Sequence, residues 1–357
     1  MSIEVINLNP SFGSSAVPNS IFLWILAYAA VGALVVAAFI VVRARARARA
    51  RGLAGVLPLA SPPESLAELI PESRYLALDK LATRRGSPTT APRIHFVQAG
   101  EGPDVVLLHG IGASVYIWRY LFPILQTRHR VTAFDFFGFG KSSKDAQLKF
   151  TLDSQAESIA LALTELGIEK AMLVGSSMGG AIALWMAKRW PERFESVVAL
   201  GPATDSGRVP LLTQHFAITA PLFRRTVNKH SIKLILNYVV ANRNLITDEV
   251  VERYLEPFRD HGESLRALVA ATSVLNDRRL PRGLADLRAK TLVIWGANDY
   301  LVPRKSMTKL ADVLKNARFI YHPTGGHHIM EDEPVWLARK LELFASGADL
   351  TGDEFGD

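Results

Sequence analysis

A serine hydroxyl becomes a useful nucleophile only when a base takes its proton and a third group orients that base. One serine of this chain has surroundings suited to that task. In Gly175-Ser176-Ser177-Met178-Gly179-Gly180, Ser177 has Gly175 and Gly179 two residues away on either side. A nucleophile held on a tight, strained turn needs neighbours that small. Ser176 fails the same requirement, because Val174 and Met178 occupy its flanking positions. A base candidate sits in Thr324-Gly325-Gly326-His327-His328, where His327 directly follows the glycine pair and His328 is the alternative. Asp299, in Trp295-Gly296-Ala297-Asn298-Asp299, is a candidate orienting acid, although a loop acid at such a place also reads as a cap or turn residue. Together the three side chains suit attack on an acyl carbon.

Elements must bring these distant residues together. The apolar run Ala171–Val174 reads as a strand and Met178–Arg189 as a helix, so Ser177 falls on the turn between them. A helix starting there points free amides and its positive end at developing negative charge. Other strands are expected at Ile94–Gln98, Val105–Leu108, Val131–Phe134, Ser196–Leu200, Thr291–Trp295 and Arg318–Tyr321. Helical periods fall at Asp153–Leu166, Lys305–Leu314 and Val335–Phe344. Short continuous apolar runs alternating with helices predict a mostly parallel sheet covered on both faces, an α/β fold. Residues 206–283 break this rhythm with helix-like segments and no convincing strand, which reads as a lid or as an ordinary helical subdomain. Their apolar side chains, Leu211, Leu212, Phe216, Ile218, Leu222, Phe223, Leu234, Ile235 and Leu236, suit either an acyl-chain pocket or the insertion's own core.

Of the 357 residues 49% are hydrophobic and 21% charged, which excludes a chain that is mainly disordered. The absence of cysteine removes disulfides, thiolate nucleophiles and zinc-thiolate sites. The net charge of +7 is unevenly spread. Five arginines (Arg43, Arg45, Arg47, Arg49, Arg51) against Glu4 put +4 on the first 51 residues and leave +3 on the remaining 306. That distribution argues against a nucleic-acid surface. Ile21–Val42 carries no charged side chain over 22 residues. A helix of that length spans about 30 Å, a bilayer's hydrocarbon core. A signal peptide would have a shorter apolar stretch and its charges in front. The run therefore reads as one transmembrane helix, with the arginines against anionic lipid and the catalytic body on the cytoplasmic side. The expected organisation is a short segment 1–20, a membrane helix 21–42, and a basic flank and linker 43–92. A catalytic core over 93–205 and 284–345 then encloses the lid at 206–283, and an acidic tail follows at 346–357. Within the linker, Leu78 and Leu81 suggest a short amphipathic helix resting on lipid or on the domain.

Residues 93–345 resemble the α/β-hydrolase fold superfamily. His109-Gly110-Ile111-Gly112 is similar to its oxyanion loop and Trp118 to the aromatic residue that follows it. Asp135-Phe136-Phe137-Gly138-Phe139-Gly140-Lys141-Ser142 resembles the D-x-x-G-x-G-x-S turn, with Phe137 a departure from the usual proline or arginine. The chain order Ser177, Asp299, His327 is that of the superfamily. The resemblance implies that Ser177 attacks, His327 is its base, Asp299 holds the imidazole, and the amides of Ile111 and Met178 form the oxyanion hole. It implies no metal and no organic cofactor. His109 is expected to pack and bond within its loop, and Asp135 to stabilise a turn. Serine at the elbow disfavours epoxide hydrolases and haloalkane dehalogenases, which use aspartate there.

With the membrane helix in front, the architecture resembles membrane-anchored monoacylglycerol lipases. The expected activity is hydrolysis of acylglycerol or similar lipid esters at the membrane. The alternatives are hydrolysis of small non-lipid esters or ring-cleavage products, and a catalytically silent membrane scaffold.

Overall fold

The structure, a computed structural model, describes residues 70–83, 91–145, 147–205, 227–260, 262–302 and 304–350. All of them lie in the larger of two compact units, Leu59–Asp357. The β-branched runs form strands: β1 (Arg74–Ala77), β2 (Arg93–Ala99), β3 (Asp104–Leu108), β4 (Arg130–Phe134), β5 (Met172–Ser176), β6 (Ser196–Leu200), β7 (Lys290–Gly296) and β8 (Arg318–His322). The helices that position the site are α1 (Leu152–Glu165), α2 (Met178–Arg189), α3 (Lys229–Val239), α4 (Asp248–Leu255), α5 (Glu263–Leu275), α6 (Arg304–Val313), α7 (Ile329–Asp332) and α8 (Pro334–Ser346).

One eight-stranded sheet results, in the order β1-β2-β4-β3-β5-β6-β7-β8. The pairs β1/β2 and β2/β4 are antiparallel and all the others parallel. Alternation sorts the apolar side chains to the two faces. Val106, Leu108, Leu173, Val197, Ala199, Val293 and Trp295 join one core with residues of α1 and α2. Val105, Leu107, Val174, Val198, Leu200, Leu292 and Ile294 join the other with Trp118, Phe122 and the α8 residues Leu337, Leu341 and Phe344. Each fully buried side chain of this kind contributes about 1.5–3 kcal/mol relative to exposure.

One difference from the sequence reading has a physical cause. β1 lies inside the stretch read as linker. It is a four-residue edge strand with three exposed side chains, so it carries no apolar period. The leucines after it rest on the domain: Leu78 is fully buried in the first core and Leu81 packs against it. Among the described residues from 227 to 283 there is no strand. There Ile232, Leu236, Val239, Val250, Val251 and Leu255 bury against one another and Tyr120, forming a satellite core. Leu236 belongs to that core while Ile235 is 55% exposed, and the apolar residues from Leu211 to Phe223 lie outside the described residues. The expected membrane helix 21–42 and its arginine flank also lie outside them, as do residues 351–357 of the expected tail. Among the described residues no helix is long and apolar enough to cross a membrane.

Candidate active site

Ser177 stands between the end of β5 and the start of α2 with φ +52° and ψ −114°. It is the one non-glycine residue with positive φ among those described. Such strain persists only where the surroundings impose it, and here they do. The Ser177 N–H donates to Leu200 O at 2.9 Å, and Ser177 O accepts from Ala203 N at 3.0 Å. Both flanking glycines are sterically required. A Cβ on Gly175 would overlap Gly179 O, and one on Gly179 would overlap Leu108 O and the neighbouring His109 carbonyl. Ser176, by contrast, is fully buried, and its Oγ has no partner.

The candidate acid and base arrive after the last two strands. Asp299 follows β7, and His327 follows β8. The His327 Nδ1 lies 2.7 Å from Asp299 Oδ2, and both side chains are buried. Asp299 Oδ1 accepts the N–H groups of Leu301 and Val302 at 2.9 and 2.8 Å. With both oxygens accepting, the ring proton sits on Nδ1 and the Nε2 lone pair is left free to take a proton. The loops are stitched together by Asn298 N donating to Gly325 O at 2.9 Å and Asn298 Nδ2 to Thr324 O at 2.7 Å. Gly201, with φ +47°, lies in the Leu200–Ala203 turn that grips Ser177. A Cβ there would meet Asp299 Oδ2 at 3.0 Å and His327 Nδ1 at 3.2 Å. One turn therefore borders the serine on one side and the imidazole–carboxylate pair on the other. His328 faces elsewhere, with its Nδ1 2.6 Å from Glu331 Oε2.

The loop after β3 closes over the serine. A Cβ on Gly110 would lie 3.3 Å from Ser177 Cβ and 3.9 Å from its Oγ. Ile111 is the next residue, and Met178 is the first residue of α2, whose N–H has no intrahelical acceptor. The loop is braced from beneath by His109. Phe136 N donates to its Nε2 at 3.0 Å, so the proton lies on Nδ1, which donates to Gly110 O at 2.7 Å. Burial holds this imidazole below its usual pKa, and it stays neutral. Asp135 accepts from Val115 N, Lys141 N and His95 Nδ1 at 2.7–2.8 Å. Burial opposes its charge, but His95 and these amides hold its pKa below the usual value. Both residues thus serve the loops. Among the described residues no three His, Asp or Glu side chains are grouped to hold a metal.

Four side chains near the base were not anticipated. Glu331 pairs with the buried Arg119, accepts from Tyr254 of α4 at 2.6 Å, and meets His328. Burial resists its charge, yet Arg119, His328 and Tyr254 hold its pKa down to about 2. Arg119 itself lies 4.4 Å from the rings of both Tyr116 and Tyr120. Asp332 accepts backbone N–H groups from Ala241, Asn242 and Gly326. Burial pushes its pKa up to about 6. The only sequence signal was two acids in the turn after His327, with partners some 75 to 210 residues distant.

The profile of the family described as alpha/beta hydrolase fold matches residues 103–334. The chain belongs to the α/β-hydrolase family. A 2-hydroxy-6-oxononadienedioate/2-hydroxy-6-oxononatrienedioate hydrolase of Comamonas testosteroni is 32% identical over 71% of this chain and 92% of its own length. A 2-hydroxy-6-oxo-6-phenylhexa-2,4-dienoate hydrolase of Burkholderia cepacia matches to the same extent. Among solved structures, a meta-cleavage product hydrolase of Pseudomonas fluorescens IP01 superposes with a TM-score of 0.63 at 26% identity, covering 72% of this chain and 96% of that one. These relatives correct the expected likeness to membrane-anchored monoacylglycerol lipases. The elbow and the acid and base loops report a reaction type common to the fold, whereas the lipid reading leaned on a segment ahead of residue 103.

Proposed function

We propose that this enzyme uses Ser177 as nucleophile, His327 as general base, Asp299 to orient the imidazole, and the amides of Ile111 and Met178 as oxyanion donors. We infer further that its substrates are small dienone acids of the kind produced by aromatic ring cleavage. The similarity at 32% identity to two hydrolases named for such acids carries the substrate reading. The elbow geometry and the 2.7 Å imidazole–carboxylate pair support the chemistry.

Attack of Ser177 Oγ on the ketone gives a tetrahedral oxyanion, as in ester cleavage, while His327 takes the hydroxyl proton. Collapse passes the electrons of the C–C bond to the departing carbon. In the 2-keto tautomer, reached when the C2 hydroxyl proton passes to C5, that carbon leaves as a dienolate conjugated with the C2 carbonyl, and the fragment takes the proton held by His327. Water, deprotonated by His327, then releases the acyl group from Ser177 as a carboxylic acid. Removing one oxyanion donor should cost about 2.7–4 kcal/mol in the transition state.

The test is turnover of synthetic 2-hydroxy-6-oxo-6-phenylhexa-2,4-dienoate, the acid for which one relative is named, followed by loss of its absorbance and by the masses of the two fragments. Short aryl esters and monoacylglycerol run in parallel. Cleavage of the dienoate by the wild type and none by Ser177→Ala is expected. Turnover of monoacylglycerol alone would replace this reading with lipid-ester hydrolysis, which the apolar run 21–42 and its five arginines favour. Activity confined to aryl esters would move the substrate to small non-lipid esters.

A further inference from the structure

The turn carrying His327 is tied to the lid as well as to the sheet that delivers it. The strap after α3 crosses directly over the turn: His328 N donates to Val239 O at 2.7 Å. A Cβ on Gly326 would meet Val239 O at 2.8 Å and Ala241 N at 2.9 Å, so glycine is required for the strap to pass. At the centre of this crossing lies the carboxylate of Asp332, 7% exposed. Its Oδ1 accepts from Ala241 N and Asn242 N, both at 2.9 Å, while Oδ2 accepts from Gly326 N at 2.8 Å and Ala241 N at 3.1 Å. One oxygen therefore serves mainly the lid, and the other serves the residue directly before His327. The neighbouring acid makes a parallel tie, through Tyr254 Oη donating to Glu331 Oε2.

We propose that Asp332 is a positioning residue that joins the lid to the general base, so that His327 holds its working place only while the Val239–Asn242 strap is docked. This rests on His327 being the base. Substrate entry that lifts the strap would thereby disengage the imidazole, and re-docking would restore it. The lid then acts as a condition for chemistry as well as a cover over the site.

An isosteric change tests the coupling. In Asp332→Asn the side chain keeps one oxygen and gains an NH2 group. Whichever way it is turned, that NH2 faces a backbone N–H, either that of Gly326 or those of the strap, so one half of the tie must part. Active sites are titrated with a fluorophosphonate, and all rates are expressed per titrated site. The rate of Ser177 labelling and kcat on p-nitrophenyl acetate should both fall about 10- to 100-fold, as displacement of a catalytic group by about 1 Å would cause. KM should change less than about threefold, because ground-state binding is untouched. A purely architectural Asp332 would lower the number of titratable sites while leaving kcat and labelling rate per site at wild-type values. That result would overturn the proposal. Ser177→Ala, run alongside, separates the two claims: turnover by that variant would defeat the assignment of the site itself.

Should Asp332→Asn fail to fold, hydrogen exchange on the wild type decides. The amides of Ala241, Asn242 and Gly326 should open together with one common protection factor. Protection of Gly326 unrelated to that of the strap would reject the coupling.

Discussion

In the proposed triad Asp299 acts without touching a substrate. Its Oδ2 fixes the proton on His327 Nδ1, and its Oδ1 is itself fixed by two amides of its own loop. Asp299→Asn preserves the shape but places an amide NH2 where one of these acceptors stood, favouring the wrong imidazole tautomer. We expect kcat to drop by about 10⁴-fold with the fold retained, measured by turnover alongside circular dichroism. Single residues of this kind were legible in the sequence because their signals are local. The glycines two residues either side of Ser177, and the pair before His327, mark places where backbone passes close to backbone. Glu331 and Asp332 were not legible. Two acids in a surface-like sequence carry no sign that a strap ninety residues earlier will bury one of them.

At the scale of elements, the parallel strands β5, β7 and β8 end on the same side of the sheet and deliver Ser177, Asp299 and His327, the proposed nucleophile, acid and base, in turn. Their register depends on α2 lying close against β3. Gly179→Ala tests this, because its methyl would meet the backbone carbonyls of Leu108 and His109, which cannot rotate away. We expect a loss of about 3 kcal/mol or more by urea denaturation. Gly167→Ala is the contrasting case: with φ +68° and no atom within 4 Å of the added methyl, only about 1–2 kcal/mol of backbone strain applies. Six of the eight strands could be placed from sequence because their buried centres read as apolar runs, and the edge strand β8 because Phe319, Ile320 and Tyr321 mark it although it is only partly buried. β1 could not, since four residues of which three are exposed carry no apolar period to distinguish them from a linker. The helical character of 227–275 was legible from its period, but its attachment to the base was not, as amphipathic helices reveal which face is apolar and not what they dock upon.

Taken as a whole, the molecule balances buried groups whose titrations oppose one another. His322 accepts Gly325 N at its Nδ1 at 2.9 Å, and burial pushes its pKa down to about 4 from 6.5. Between these values the unfolded chain binds a proton that the native protein refuses. The stabilisation is therefore complete above pH 6.5 and is lost as pH falls toward 4, by about 3 kcal/mol. Asp332, raised from 3.8 to about 6, acts in the opposite sense over the same window, since there the native state binds the extra proton. Glu331, lowered from 4.5 to about 2, contributes stability above pH 4.5 that is lost as pH falls through 2. His109, held neutral by burial, acts in the same sense as His322, so the wild type should lose stability gradually from pH 6.5 to 4.5 and unfold steeply in stronger acid. In His322→Gln one of the two opposing imidazoles is removed, so denaturant midpoints should fall less from pH 6.5 to 4.5 than in the wild type; an equal fall would contradict the assignment. The sheet order has a consequence for engineering too. The chain enters the sheet at β1, on the flank opposite β8, and seven strand spacings of about 4.8 Å set these edges roughly 34 Å apart. A protein begun at residue 70 should match the full chain in kcat on a water-soluble substrate.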